Sequence, residues 1–143
     1  MRESTFEAKF GKMVKKFGGL SYKWVSPGNA GVPDRIVFFP PGTWIGEALV
    51  EGIWFVELKS TKGKLTPRQV HQHDLLRQRM ARVLTLWPDT HQYVPVKLQF
   101  MKAVCLYRAR MWLEVNTATT PRTKLLYADV CTSIEEVETD ANN

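Results

Sequence analysis

Two short segments constrain this chain more than anything else in it: Arg35-Ile-Val-Phe-Phe39 and Ile53-Trp-Phe-Val-Glu-Leu-Lys59. Both are nearly continuous runs of β-branched and aromatic residues. Pro33-Asp34 opens the first, and Pro40-Pro41-Gly42 closes it. Such runs read as central strands of a sheet covered on both faces. Strands of this kind need helices over them, and the sequence supplies two. In residues 3–17, Phe6, Phe10, Met13, Val14 and Phe17 form one helical stripe, Lys9, Lys12, Lys15 and Lys16 lie mainly outside it, and Gly18-Gly19 follows as a stop. Thr66-Pro67-Arg68-Gln69 opens a second helix, with Thr66 as N-cap, Pro67 at the first position and Gln69 where a capping box places Glu or Gln. That helix should run to about Met80, with Gln69, His73, Leu76 and Met80 facing inward.

The remaining segments are less determined. Leu20 to Val25 reads as a strand, and Ser26-Pro-Gly-Asn-Ala-Gly31 is rich in turn formers. Residues 43–52 suit a hairpin connection or small excursion, and Arg82 to Trp87 a strand ended by Pro88. Residues 98–113 fit a helix and a pair of strands equally well. Leu125 to Val130 reads as a last strand and Ser133 to Val137 as a short helix. With 143 residues, 44% of them hydrophobic, one packed core is within reach. The expectation is a single α/β domain with a mixed sheet flanked by helices.

Composition narrows the function. The N-terminus, MRESTFEAKFGK, has no apolar run, and no stretch approaches a membrane span, so neither a secretory signal nor a transmembrane segment is expected. Cys105 and Cys131 lie far apart, with neither CxxC nor Cys/His spacing, which suits a reducing cytoplasm rather than a zinc or disulfide framework. A net charge of +6 and a pI near 9.5 favour a polyanionic partner such as nucleic acid.

The chemistry is carried by the interruptions. Asp34 stands at the mouth of the first strand. Glu57 and Lys59 are two apart on the second, so the strand period puts them on one face. A charged pair in so apolar a run is costly unless something compensates it. A divalent cation held by the carboxylates is one compensation and the lysine another. Phosphodiester hydrolysis needs such a set. Mg²⁺ on carboxylate oxygens activates a water and polarises the phosphate, and Lys59 could hold the phosphate, position the water or help deprotonate it.

The ordered set Glu7, Ser26-Pro-Gly-Asn-Ala-Gly-Val-Pro-Asp34, Phe55-Val-Glu-Leu-Lys59 and Gln69 resembles the VRR-NUC branch of the PD-(D/E)xK nuclease superfamily, in particular its small stand-alone phage and prophage members. The resemblance covers about residues 5–80, with Leu125–Val137 as a candidate closing strand and helix. It implies a restriction-endonuclease-like fold and DNA as substrate. It implies Asp34 and Glu57 as ligands of Mg²⁺ (with Mn²⁺ able to substitute), the Leu58 backbone carbonyl as a further ligand, Lys59 as catalytic lysine, Gln69 as support and Glu7 as a helix carboxylate near the metal. Relatives of this kind suggest cleavage of branched DNA of the Holliday-junction type, by a homodimer, in the cytoplasm of the host if the chain is phage-encoded, with no nucleotide cofactor. Residues 81–124 depart from the short members as an apparent insertion. Its apolar residues Trp87, Tyr93, Phe100, Leu106 and Trp112 make it a candidate dimer contact.

Other readings stand beside these. Glu57 and Lys59 could be a plain salt bridge, and Asp34 a turn residue. Spacing alone does not choose between Glu3 and Glu7. Gln69 could be only the capping partner of Thr66, and is expected to do one of the two jobs well. His71 and His73 should point different ways on a helix, which argues against a metal site there. Lys23, Ser26, Lys62, Lys64 and Arg68 are candidate phosphate contacts, or solvated surface. The nuclease could act on flaps, nicks, duplex ends or restriction sites, or the chain could be a non-catalytic nucleic-acid-binding module.

Overall fold

The structure, a computed structural model, describes residues 3–88 and 93–115. Its elements are α1 (Glu3–Lys16), β1 (Leu20–Lys23), β2 (Arg35–Phe39), β3 (Trp44–Ile45), β4 (Ala48–Leu49), β5 (Gly52–Leu58), α2 (Pro67–Arg77), β6 (Val83–Leu86) and α3 (Tyr93–Val115). The four-stranded sheet has the order β1-β2-β5-β6. The first two pairings are antiparallel and β5 pairs β6 in parallel. Parallel neighbours need a crossover, and α2 is that crossover. The expected mixed α/β architecture is the one observed, and residues 43–52 form a small hairpin of β3 with β4.

Alternation along the strands sorts side chains onto two unlike faces. Trp54, Val56 and Leu58 of β5 point one way with Val37 and Phe39 of β2, and all are at most 4% exposed. Phe6, Phe10, Met13 and Val14 of α1 and Phe100 and Val104 of α3 join them in one core. Complete burial of a side chain such as Leu58 contributes roughly 1.5–3 kcal/mol. Gly19 lets α1 close on the sheet, because a Cβ there would lie 2.8 Å from the Phe38 carbonyl oxygen and from a Val14 methyl. The opposite face is covered by α2 at one end only, so β5, expected to be buried on both faces, leaves Ile53 50% exposed there.

One open reading is decided and one boundary is corrected. Residues 98–113 belong to α3, where Phe100 stacks edge-on against Phe39 and Trp54. The second helix ends at Arg77 rather than Met80. Met80 takes a left-handed φ of 70°, closing a turn in which the Ala81 N–H bonds to the Leu76 carbonyl. Within residues 81–115, β6 completes the sheet and Phe100 is fully buried. Trp87 is half-buried, its indole N–H donating to the Gly63 carbonyl at 2.6 Å, and Leu106 is half-buried too. The side chains of Tyr93 and Trp112, and the strand and helix expected at Leu125–Val130 and Ser133–Val137, lie outside the described residues. Among the described residues no helix is long and apolar enough to cross a membrane.

Candidate active site

Neighbouring strand ends carry the two carboxylates. Arg35 pairs with Val56 as the last pair of the β2–β5 ladder. Asp34 and Glu57 are the next residues outward on the two strands, and alternation places both on the face opposite the core. On the β1 side Asp34 is still held, its carbonyl accepting the Trp24 N–H at 2.7 Å. Pro33, just before Asp34, has no N–H, so it cannot donate to the Leu58 carbonyl where β5 ends. The Leu58 N–H donates to Asp34 Oδ2 at 3.1 Å.

Glu57 and Lys59 lie on the face that α2 covers, as their spacing predicts. Lys59 Nζ donates to Gln69 Oε1 at 2.8 Å. The same oxygen accepts the Thr66 N–H at 2.9 Å, and the Gln69 N–H returns to Thr66 Oγ1 at 3.2 Å. The expectation that Gln69 would serve either the cap or the site is therefore overturned. A carbonyl oxygen has two lone pairs, and here one takes the cap and the other the lysine. Behind them, the Lys59 N–H bonds to the Leu86 carbonyl at 3.0 Å, which ties the end of β5 to β6.

His73 completes the roof of the site. Its imidazole is fully buried, with Nε2 3.8 Å from Glu57 Oε1. Burial first, then the nearby Arg77 and Lys59 cations, push its pKa down to about 4 against the opposing pull of Asp34 and Asp74. The ring is neutral at pH 7. His71 is exposed, so the two histidines do face different ways. The inward stripe locates His73, but its place over Glu57 depends on how α2 crosses the sheet, which helical spacing does not encode.

The loop before Asp34 is held by close packing. Gly31 has a φ of +97°, and a Cβ there would lie 2.8 Å from the Arg68 carbonyl oxygen. Only glycine allows both the conformation and this approach to the first turn of α2. Ser26 accepts from the Asn29 side chain at 3.2 Å and its carbonyl from the Asn29 N–H at 3.1 Å, a local turn lock. Lys23, Lys62, Lys64 and Arg68 are all exposed.

Glu7 meets Arg35, the residue after Asp34. Its carboxylate lies 3.6 Å from Arg35 Nη2, and Arg35 shares its face with Val37 and Phe39, the core face. Asp34, one residue earlier, points to the other. The side chain of Glu3 lies outside the described residues.

The donors suit a hard divalent cation. Two carboxylates at the neighbouring ends of β2 and β5 and the Leu58 carbonyl offer oxygen alone, the ligand type Mg²⁺ takes. Among the described residues no group of three or more His, Cys, Asp and Glu side chains gathers as a metal cluster. A site here would need the backbone oxygen beside its two carboxylates.

No protein-family profile matches the sequence. Over 73 residues, 51% of this chain and 69% of the relative, the sequence is 42% identical to "Putative nuclease p44" of Acyrthosiphon pisum secondary endosymbiont phage 1. A solved structure of a VRR_NUC domain superposes with a TM-score of 0.50 at 29% identity, covering 64% of this chain and 88% of that one. With that relative, that structural neighbour and the mixed sheet in agreement, the chain belongs to the VRR-NUC nucleases of PD-(D/E)xK fold.

Proposed function

We propose that this nuclease is a Mg²⁺-dependent DNA endonuclease, selective for branched structures of the Holliday-junction type. The observation that carries the reading is Asp34, bonded to the Leu58 N–H, beside Glu57 and Lys59 at the end of β5, with the Lys59 ammonium aimed by Gln69. Asp34, Glu57 and the Leu58 carbonyl would hold the cation, which when bound acidifies a water and draws charge from the phosphate. Lys59 contacts a phosphate oxygen and offsets the charge that grows on it during attack. Gln69 fixes the ammonium so that little side-chain freedom is lost at that moment. His73 and α2 exclude water from the carboxylate side of the site. Glu7 supports the site at one remove, through Arg35 on the strand that Asp34 begins. Lys23, Ser26, Lys62, Lys64 and Arg68 position the DNA backbone.

The domain reading that accompanies this is one nuclease domain over residues 1–143, with 81–124 as its family-atypical segment. One chain carries one catalytic set, so symmetric cutting of a junction calls for a homodimer. A panel of four-way junction, flap, nicked, duplex and single-stranded DNA, incubated with Mg²⁺, Mn²⁺ or chelator, tests the proposal. Paired incisions in the junction with either metal and none with chelator are expected. Cleavage that persists in chelator would remove the metal, and a preference for flaps or ends would remove the junction.

A further inference from the structure

Beyond the catalytic carboxylates, the same face of the sheet continues as an open apolar surface. Leu20 pairs with Phe38 and Phe38 with Ile53, which makes one row across three strands. Tyr22, Ile36 and Phe55 make the next row, and beyond it Trp24 and Asp34 are joined by the Trp24 N–H, with Glu57 next on the same face of β5 by alternation. Successive rows on one face are about 7 Å apart. Leu20 and Tyr22 are each 55% exposed, Ile53 50% and Phe38 36%, whereas Val37, Phe39, Trp54 and Val56 on the other face are buried. Tyr22 meets Phe38 edge-on at 6.0 Å between ring centroids, and Trp24 lies tilted on Phe55 at 5.3 Å. Two aromatic pairs therefore lead to the proposed metal site.

We propose that this surface is a stacking platform for unpaired nucleobases of the substrate strand. The charges support bases over backbone: Lys23 and Arg35 alternate onto the opposite face, so the rows themselves carry no cation for phosphates. The basic residues of the 60–68 turn lie past the end of β5. Apolar aromatic rings with no cation in their own rows suit the faces of bases and not the phosphates. A continuous duplex keeps those faces in its own stack, so only a strand with splayed or unpaired bases can use the platform. The surface is continuous with the face that carries Asp34 and Glu57, where a nuclease of this family must receive its strand. The inference rests on the proposed active site in placing the cleaved bond there, and it deepens the reading by naming unpaired bases beside that bond as the recognised feature.

The test uses the full chain without metal, so that binding is measured without cleavage. Oligonucleotides carrying 2-aminopurine report stacking directly, as a fully paired duplex, a single strand and a four-way junction with splayed bases at its centre. The wild type is expected to quench the probe in the single strand and the splayed junction but not in the duplex. Tyr22→Ala and Phe38→Ala, each checked by thermal melt, should weaken single-strand affinity roughly 5-fold or more and leave duplex affinity unchanged. Equal losses on duplex and single strand would overturn the platform. So would a wild-type dimer by light scattering that Tyr22→Ala dissociates, since a second copy would then be the occupant. A protein that cleaves with Mg²⁺ but quenches no probe loses the platform and keeps the nuclease. One that quenches the probe and cleaves nothing keeps the platform and loses the active-site assignment.

Discussion

The Asp34 carboxylate accepts the backbone N–H of Leu58 at 3.1 Å, across two strands and 24 residues of chain. The side chain thus has a structural duty besides its proposed metal duty, and the two can be separated. Asp34→Asn keeps an oxygen acceptor and loses the charge, while Asp34→Ala loses both. The expected outcome is a drop in cleavage of ~10²-fold or more for each variant. Stability should be near wild type for Asn and lower for Ala, by the roughly 1–3 kcal/mol of an unmet buried N–H. Near-normal turnover in Asp34→Asn would remove Asp34 from the metal.

Lys59 and Gln69 make a second separable pair. Thr66→Ala breaks the cap but leaves Gln69 on Lys59, and should cost about 1 kcal/mol of stability with turnover per folded molecule unchanged. Gln69→Ala takes away the cap and the lysine's anchor together, and turnover should fall as well. Lys59→Ala should abolish most turnover while the fold persists, and Lys59→Arg should rescue poorly, because a planar fork does not replace a point charge. Melts by circular dichroism beside cleavage rates decide each case. Equal rate losses in Thr66→Ala and Gln69→Ala would make the Gln69–Lys59 bond incidental.

His73 predicts an acid limit. Its folded pKa of about 4 lies below the ordinary 6.5, so between those values the unfolded chain binds a proton that the folded one refuses. Stability from this residue is complete above pH 6.5 and is lost as pH falls toward 4. The loss is about 3 kcal/mol by linkage. Metal-free denaturant melts from pH 7 to pH 4 should show it, and His73→Phe should flatten that part of the curve. A slope that persists in His73→Phe would assign the acid sensitivity to other groups.

The exposed cations Lys62, Lys64 and Arg68 predict a salt effect. Where one of them touches a backbone phosphate, its replacement by alanine should reduce the slope of log affinity against log salt by about one unit, with affinity falling alike for every DNA sequence. An unchanged slope in the triple alanine variant would leave these charges as solvated surface.

How much of this can be read from the sequence follows from range. The α1 stripe, the capping box at Thr66 and the two apolar strands are local patterns, and each appears within a residue or two of its expected place. Asp34, Glu57 and Lys59 are legible because charge in an apolar run is conspicuous and strand period is fixed. The fate of 98–113 is not, since its apolar residues fit either period until Phe100 finds Trp54. Nor is the partner of Glu7, because helical spacing shows which side of α1 is apolar but not which face of the sheet receives it. The double duty of Gln69 is hidden for a third reason: sequence shows an amide, and only the meeting of β5 with α2 shows both lone pairs in use.

Pro33 carries one further consequence, for how variation in this family is weighed. Scales of amino-acid similarity compare size, polarity and charge, and on all three an alanine or valine at position 33 would pass as mild. What the position contributes is a missing hydrogen. Any other residue would bring an amide proton to the point where β2 and β5 part, offering the sheet a further hydrogen bond over an oxygen the catalytic centre is proposed to use. Such a variant should fold at least as well and cut less well, so selection for thermal robustness and selection for activity would pull this one site in opposite directions.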